Sequence, residues 1–135
     1  MHRLPIFVYG SLRPGSIHYD RLLKGKTVKE TPARVRGSLY AHVSLPWPCL
    51  VPGDGEVKGE LIHIAQDVYD RVMVALDDWE DYDPHDESGS LYLRKVVIAM
   101  TADGREEQAW CYFWNGSGRE LGERVEDGDW SKRYV

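Results

Sequence analysis

The chain is poor in the residues that would stabilise it covalently or recruit a metal. Only two cysteines occur, Cys49 and Cys111, and they do not form a CxxC pair. Neither a disulfide framework nor a thiol-rich zinc site is therefore indicated. Five histidines (His2, His18, His42, His63 and His85) are scattered with no two at ligand spacing, so no metal site is expected. No apolar run approaches the roughly 18 residues of a membrane span. The N-terminal segment also lacks the apolar stretch of about 7–15 residues and the cleavage site of a secretory leader. Basic residues are spread out, as Arg34 and Arg36, Arg94 and Lys95, Lys132 and Arg133, and 22 acidic residues outnumber 17 basic ones for a formal net charge of −5. Nucleic-acid binding usually rests on clustered cations facing phosphates, so that class is excluded. Repeats and low-complexity tracts are absent too. The expectation is a cytoplasmic protein with reduced thiols and no membrane or nucleic-acid partner.

What is present fits an ordinary globular domain. With 135 residues, 42% hydrophobic and 29% charged, a single domain over 1–135 is expected. Ile6-Phe7-Val8-Tyr9 reads as a short buried strand, halted by the loop Gly10-Ser11-Leu12-Arg13-Pro14-Gly15. A short helix over Tyr19–Leu23 and a strand over Arg34–Tyr40, with Gly37 as a bulge, follow. Pro46, Pro48 and Pro52 exclude a helix and a central strand from their segment, which Gly53-Asp54-Gly55 closes as a turn. Val57–Ile64 reads as a strand. The strongest helix is capped by Asp67 and carries Val68, Val72, Ala75, Leu76 and Trp79 on one face, ending near Glu80. An acidic loop over Asp81–Ser90 leads to a hairpin of Leu91–Met100 and Glu107–Trp114, turning at Ala102-Asp103-Gly104. Many strands with one strong helix predict an α+β domain built on a small mixed or closed sheet with helices outside.

Two places could carry chemistry. The Gly10–Ser16 loop nearly matches a phosphate-binding P-loop but has Ser16 and Ile17 where that motif needs Lys and Ser or Thr. A glycine-containing turn after a buried strand can still aim N–H groups at an anion such as a carboxylate, or can simply be a turn. Glu80 adjoins the apolar helix face within the acidic run Asp77, Asp78, Asp81, Asp83, Asp86 and Glu87. Most of that run reads as a solvated loop, but the position of Glu80 invites partial burial, which raises a carboxyl pKa and improves it as a base. Nucleophilic catalysis is weakly supported, because Ser11 is in no G-x-S-x-G elbow.

Several segments together resemble the gamma-glutamylcyclotransferase family, including its AIG2-like branch. Tyr9-Gly10-Ser11-Leu12-Arg13-Pro14-Gly15 is similar to its Y-G-[ST]-L-R-x-G signature. Gly37-Ser38-Leu39-Tyr40, Val57-Lys58-Gly59-Glu60-Leu61, Leu76-Asp77-Asp78-Trp79-Glu80, Tyr92-Leu93-Arg94 and Gly128-Asp129-Trp130 follow in the family's order. The resemblance implies a small mixed β-barrel with flanking helices. It also implies cyclisation of a small γ-glutamyl compound to 5-oxoproline with release of an amine. Glu80 would be the catalytic acid and base, and Tyr9, Gly10, Ser11, Leu12, Tyr92 and Tyr112 would hold the substrate, with Tyr134 a looser match. No metal or cofactor is required, because one carboxylate can make both proton transfers. A Glu at its reference pKa of about 4.3 would face an α-ammonium near roughly 8 at a cost of about 5 kcal/mol, so Glu80 is expected to be desolvated. The family often has Gly where Asp81 stands; that carboxylate could repel Glu80 or point to water, and the acidic loop could cover the pocket. A catalytically silent binder of a small acidic metabolite and a phosphate-binding protein are the alternatives.

Overall fold

The computed structural model describes residues 3–130, so the expectation for Tyr134 lies outside the described residues. The chain runs β1 (Ile6–Val8), α1 (Ile17–Leu22), β2 (Thr27–His42), β3 (Pro48–Ile64), α2 (Tyr69–Trp79), β4 (Tyr92–Thr101), β5 (Glu106–Trp114) and β6 (Leu121–Arg124). Hydrogen bonding follows the order β3-β1-β5-β4-β2-β6, and β2 also pairs with β3. That second pairing closes β1 to β5 into a five-stranded barrel, with β6 attached to β2. The β1–β5 contact is parallel while the other pairings are antiparallel, so the barrel is mixed, as the sequence predicts. Among the described residues no helix is long and apolar enough to cross a membrane.

The alternation of β1 explains why a three-residue strand is buried throughout. Phe7 joins Ala33, Val35, Val57, Leu61, Ala99, Ala109 and Cys111 from the other barrel strands, and these small side chains fill a narrow barrel interior. Ile6 and Val8 point the other way, onto Val72, Met73 and Leu76 of α2. Each face of β1 therefore serves a different core.

The proline-rich segment holds a strand that the sequence reading did not assign, although not a central one. Pro48–Val51 is strand, with Cys49 opposite Tyr40 and Leu50 opposite Leu39. Prolines are tolerated here because this part of β3 pairs with β2, whereas β1 meets β3 only at Glu60–Ile62. The expected turn at Gly53–Gly55 lies within β3: Arg36 pairs with Glu56 and Ser38 with Val51, so Pro52–Gly55 bulges opposite Gly37. The irregularity read at Gly37 is thus present, but the extra residues are on β3, opposite Gly37. β2 is longer than its apolar core suggested and starts at Thr27.

The start of α2 also differs from expectation. Asp67 lies inside a 3-10 turn (Gln66–Val68), and Val68 occupies the N-cap without a side-chain cap bond. At the other end Asp81 N–H donates to Asp78 O (3.2 Å) and Tyr82 N–H to Asp77 O (2.9 Å). These two bonds make a Schellman ending whose left-handed residue is normally glycine. Here it is Asp81, with φ 55°. Asp81→Gly is expected to stabilise the fold by about 0.5–1 kcal/mol by relieving that conformation. Urea denaturation at neutral pH measures it, and an unchanged or lower midpoint would mean that the Asp81 side chain compensates.

Three of the segments that carry the family resemblance meet at one point. Arg13 donates through Nε and Nη2 to the two Glu60 oxygens (2.7 and 2.9 Å) and through Nη1 to Asp129 Oδ1 (2.9 Å). Those side chains are only 18%, 18% and 12% exposed. Gly128, at φ 67°, leaves room for Glu56 O, which would stand 1.8 Å from an added Cβ. The Gly10–Gly15 loop is therefore tied to β3 and to the chain end by a half-buried ion network.

Candidate functional site

A cavity of about 420 Å³ opens where the loop after β1, the end of α2 and the start of β3 converge. Its floor is formed by Tyr9, Leu12, Tyr92 and Tyr112, all buried. Gly10, Ser11 and Glu80 complete the polar end. All seven residues singled out from the sequence therefore line one cavity. Gly10 is required sterically: an added Cβ would come within 2.6 Å of Pro48 Cγ, and Pro48 forms part of the wall.

Glu80 is the C-cap of α2, and its own N–H is fixed to Leu76 O (2.9 Å). The residue is half-buried by accessible area because it borders the cavity. The protein around it nevertheless pushes its pKa up to about 8, through desolvation first and the neighbouring Asp77 charge second. The negative end of the α2 dipole acts in the same direction. The repelling carboxylate is thus Asp77, three residues back on the same helix face, and not Asp81, which is exposed.

Asp77 is held in turn. It accepts the Tyr112 hydroxyl (2.6 Å) and pairs with Arg94 Nη1 (3.4 Å). Burial raises its pKa, and the Tyr112 and Arg94 contacts oppose that rise. The tyrosine hydroxyls have fixed acceptors as well: Tyr9 donates to Tyr112 O (2.6 Å) and Tyr92 to Pro48 O (2.8 Å). Burial pushes all three phenols up, which keeps them neutral. With their protons committed, they face the cavity as acceptors rather than bases.

The loop supplies the complementary groups. Among the described residues the Gly10, Ser11 and Leu12 N–H groups donate to no protein acceptor, while Gly10 O receives Arg13 N–H (3.1 Å) and Ser11 O receives the Ser16 hydroxyl. Free N–H groups at a turn suit a carboxylate.

The mouth was not legible in the sequence. His18, Pro46, Trp47, Trp79 and Leu91 form it. Trp79, assigned to the helix core by its spacing, is 41% exposed and lies 4.4 Å from the His18 ring. Trp47 is set by His42, whose Nδ1 accepts the Ser44 and Leu45 N–H groups (both 3.1 Å) and whose ring stands edge-on to Trp47. The acidic loop, expected as a possible cover, contributes none of the lining between Asp81 and Ser90. Cys49 and Cys111 are free and buried. Burial pushes Cys49 up to about 12 and Cys111 also upward, so neither is a ready nucleophile. Among the described residues no three His, Cys, Asp or Glu side chains converge as a metal cluster.

Comparison with known proteins agrees with this fold. A solved Bacillus subtilis protein, YkqA, superposes with a TM-score of 0.69 at 26% identity over 96% of this chain, which spans 40% of that protein's length. An AIG2-like protein from Mus musculus shares the fold with a TM-score of 0.69 at 22% identity, over 89% of this chain and 84% of its own. The candidate gamma-glutamylcyclotransferase MJ1514 of Methanocaldococcus jannaschii is 29% identical over 126 residues, 93% of each chain. The family model "Gamma-glutamyl cyclotransferase, AIG2-like" matches residues 6–132, and the chain belongs to that family.

Proposed function

We propose that the protein is a cyclotransferase that converts a γ-glutamyl compound to 5-oxoproline and a free amine, with Glu80 carrying the proton. The observation that carries this reading is the placing of Glu80, pushed up to about 8 by burial and by Asp77, in one cavity with neutral tyrosines and free backbone N–H groups. An α-ammonium titrates near roughly 8, so proton transfer to Glu80 is close to thermoneutral instead of costing about 5 kcal/mol at an ordinary glutamate.

The steps follow from that match. The Gly10, Ser11 and Leu12 N–H groups bind the substrate α-carboxylate, and tyrosine oxygens accept from its α-ammonium. Glu80 removes one ammonium proton, and the amine nitrogen attacks the γ-carbonyl carbon within the same molecule. The C–N bond to the departing amine breaks as Glu80 returns that proton to its nitrogen; the second proton shed by the attacking nitrogen follows, so the ring keeps a neutral lactam N–H and the amine departs as an ammonium ion. Tethering makes the attack unimolecular, so orientation supplies much of the rate.

Incubation with γ-glutamyl amino acids, γ-glutamylamines and glutathione, read by mass spectrometry for 5-oxoproline, tests the proposal. Product from at least one compound supports it. Ligand-dependent thermal stabilisation without product from any of them would identify a binding protein instead.

A further inference from the structure

Asp77 of α2 and Arg94 of β4 belong to segments that carry the family resemblance, yet neither has a part in the steps above. They meet beside the cavity without lining it. Arg94 Nη1 stands 3.4 Å from Asp77 Oδ1, and the two side chains are only 19% and 17% exposed. The Trp110 ring at 4.7 Å and the Tyr82 ring at 5.6 Å brace the guanidinium in that position. The same Asp77 oxygen accepts the Tyr112 hydroxyl (2.6 Å), and Tyr112 lines the cavity. Tyr112 also lies within electrostatic reach of Glu80. Its single proton can serve only one carboxylate, and Asp77 holds it. Among the described residues no N–H or O–H group donates to the Glu80 carboxyl. The other titratable groups facing Glu80 are Tyr9 after β1, His18 on α1, Tyr92 on β4 and Cys111 on β5. Asp78, Asp81 and Asp83 flank Asp77 in the groove outside.

We propose that Asp77, braced by Arg94, is a positioning residue of the reaction: it turns the Tyr112 lone pairs towards the substrate ammonium and leaves the Glu80 carboxyl free to take the proton. This rests on the cyclotransferase reading above. A donor bonded to Glu80 would stabilise its anion and weaken it as a base. Asp77 draws the nearest phenol proton away and adds a negative charge that opposes ionisation of Glu80. It thus acts on the chemistry in two separable ways, through its charge on Glu80 and through its hydrogen bond on Tyr112.

Asp77→Asn and Asp77→Ala separate the two. The Glu80 carboxyl is titrated by NMR in glutamate-labelled protein, and kcat and KM are followed against pH on the γ-glutamyl compound that wild type turns over fastest. In both variants the Glu80 midpoint is expected to fall by about one pH unit, and the acid limb of kcat/KM should fall with it. Arg94, released from its partner, acts in the same direction. Asn can still accept the Tyr112 hydroxyl, so KM at pH 8 should stay within about twofold of wild type. Ala cannot, and the freed phenol proton then meets the substrate ammonium; KM should rise by about three- to tenfold. Tyr112→Phe supplies a variant that keeps Asp77: adding Asp77→Ala to it should raise KM no further, because Asp77 acts on binding through that hydroxyl. An unmoved Glu80 midpoint and acid limb, or a KM that rises equally in the Asn and Ala variants, would overturn the proposal while wild-type turnover upholds the cyclotransferase reading. Absence of 5-oxoproline from wild type with every compound of the panel would instead remove that reading, and this inference with it.

Discussion

Glu80→Gln is expected to lower kcat/KM for 5-oxoproline formation by about 100- to 10,000-fold, the range of a lost general acid–base group, while leaving the protein folded. The substitution keeps the side-chain volume and removes the site's proton carrier. The pH dependence follows from the same group. Wild-type activity requires one proton shared between Glu80, near 8, and an α-ammonium also near roughly 8. Protonating both stops the reaction, and so does deprotonating both. The kcat/KM profile is therefore expected to be bell-shaped with its maximum near pH 8, whichever partner holds the proton in the free species.

Stability should respond in the opposite sense. The fold raises the Glu80 pKa above its ordinary 4.5, so the native state holds this proton more tightly than the unfolded chain. The resulting penalty is absent below about pH 4.5, grows as pH rises towards 8 and is complete above it, with an upper bound of about 5 kcal/mol. Glu80→Gln removes the penalty. The variant is expected to gain at least about 1 kcal/mol more over wild type at pH 9 than at pH 5, measured by urea denaturation at both pH values. An equal gain at the two pH values would show that Glu80 titrates normally, and the proton-matching argument would fail.

The second large effect is structural. Arg13→Met is expected to cost about 3–5 kcal/mol, because it removes the guanidinium that Glu60 and Asp129 share in a site only 12–18% exposed. Met preserves most of the stem's packing, so the loss reports charge and hydrogen bonding rather than volume. Adding Glu60→Gln to Arg13→Met should recover part of it, since one of the two carboxylates that Arg13 balanced is then neutral. A loss below about 1 kcal/mol would reduce the network to the worth of an exposed ion pair. Arg13 immediately follows the Gly10–Leu12 segment, so kcat/KM should also fall in this variant under conditions where it remains folded.

Local pattern made much of this molecule readable. The short apolar run of β1, the proline and glycine punctuation and the helical spacing on α2 each specify an element by nearest-neighbour physics, and the barrel's strands were largely located that way. Glu80 was singled out because a carboxylate beside an apolar helix face tends towards burial. The order of the recurring segments brought in Tyr9–Leu12, Tyr92 and Tyr112. Asp77 was within reach too, since a spacing of three puts it on the face of Glu80, but an acidic run conceals which member is buried.

Other features depend on long-range pairing and were hidden for that reason. Whether Pro48–Val51 is strand depends on β2 lying beside it. Trp79 has the spacing of a core residue, yet the helix ends there and leaves the ring over His18, a residue of α1. The mutual binding of Arg13, Glu60 and Asp129 spans nearly the whole chain, as does the bond from Tyr9 to Tyr112. By itself the sequence determined the strands, the main helix and the candidate proton carrier, because each is fixed by spacing along the chain. The tertiary structure alone decided how far Glu80 is desolvated, the commitment of the tyrosine protons and the aromatic mouth, because burial is set by which distant segments the closed barrel brings together.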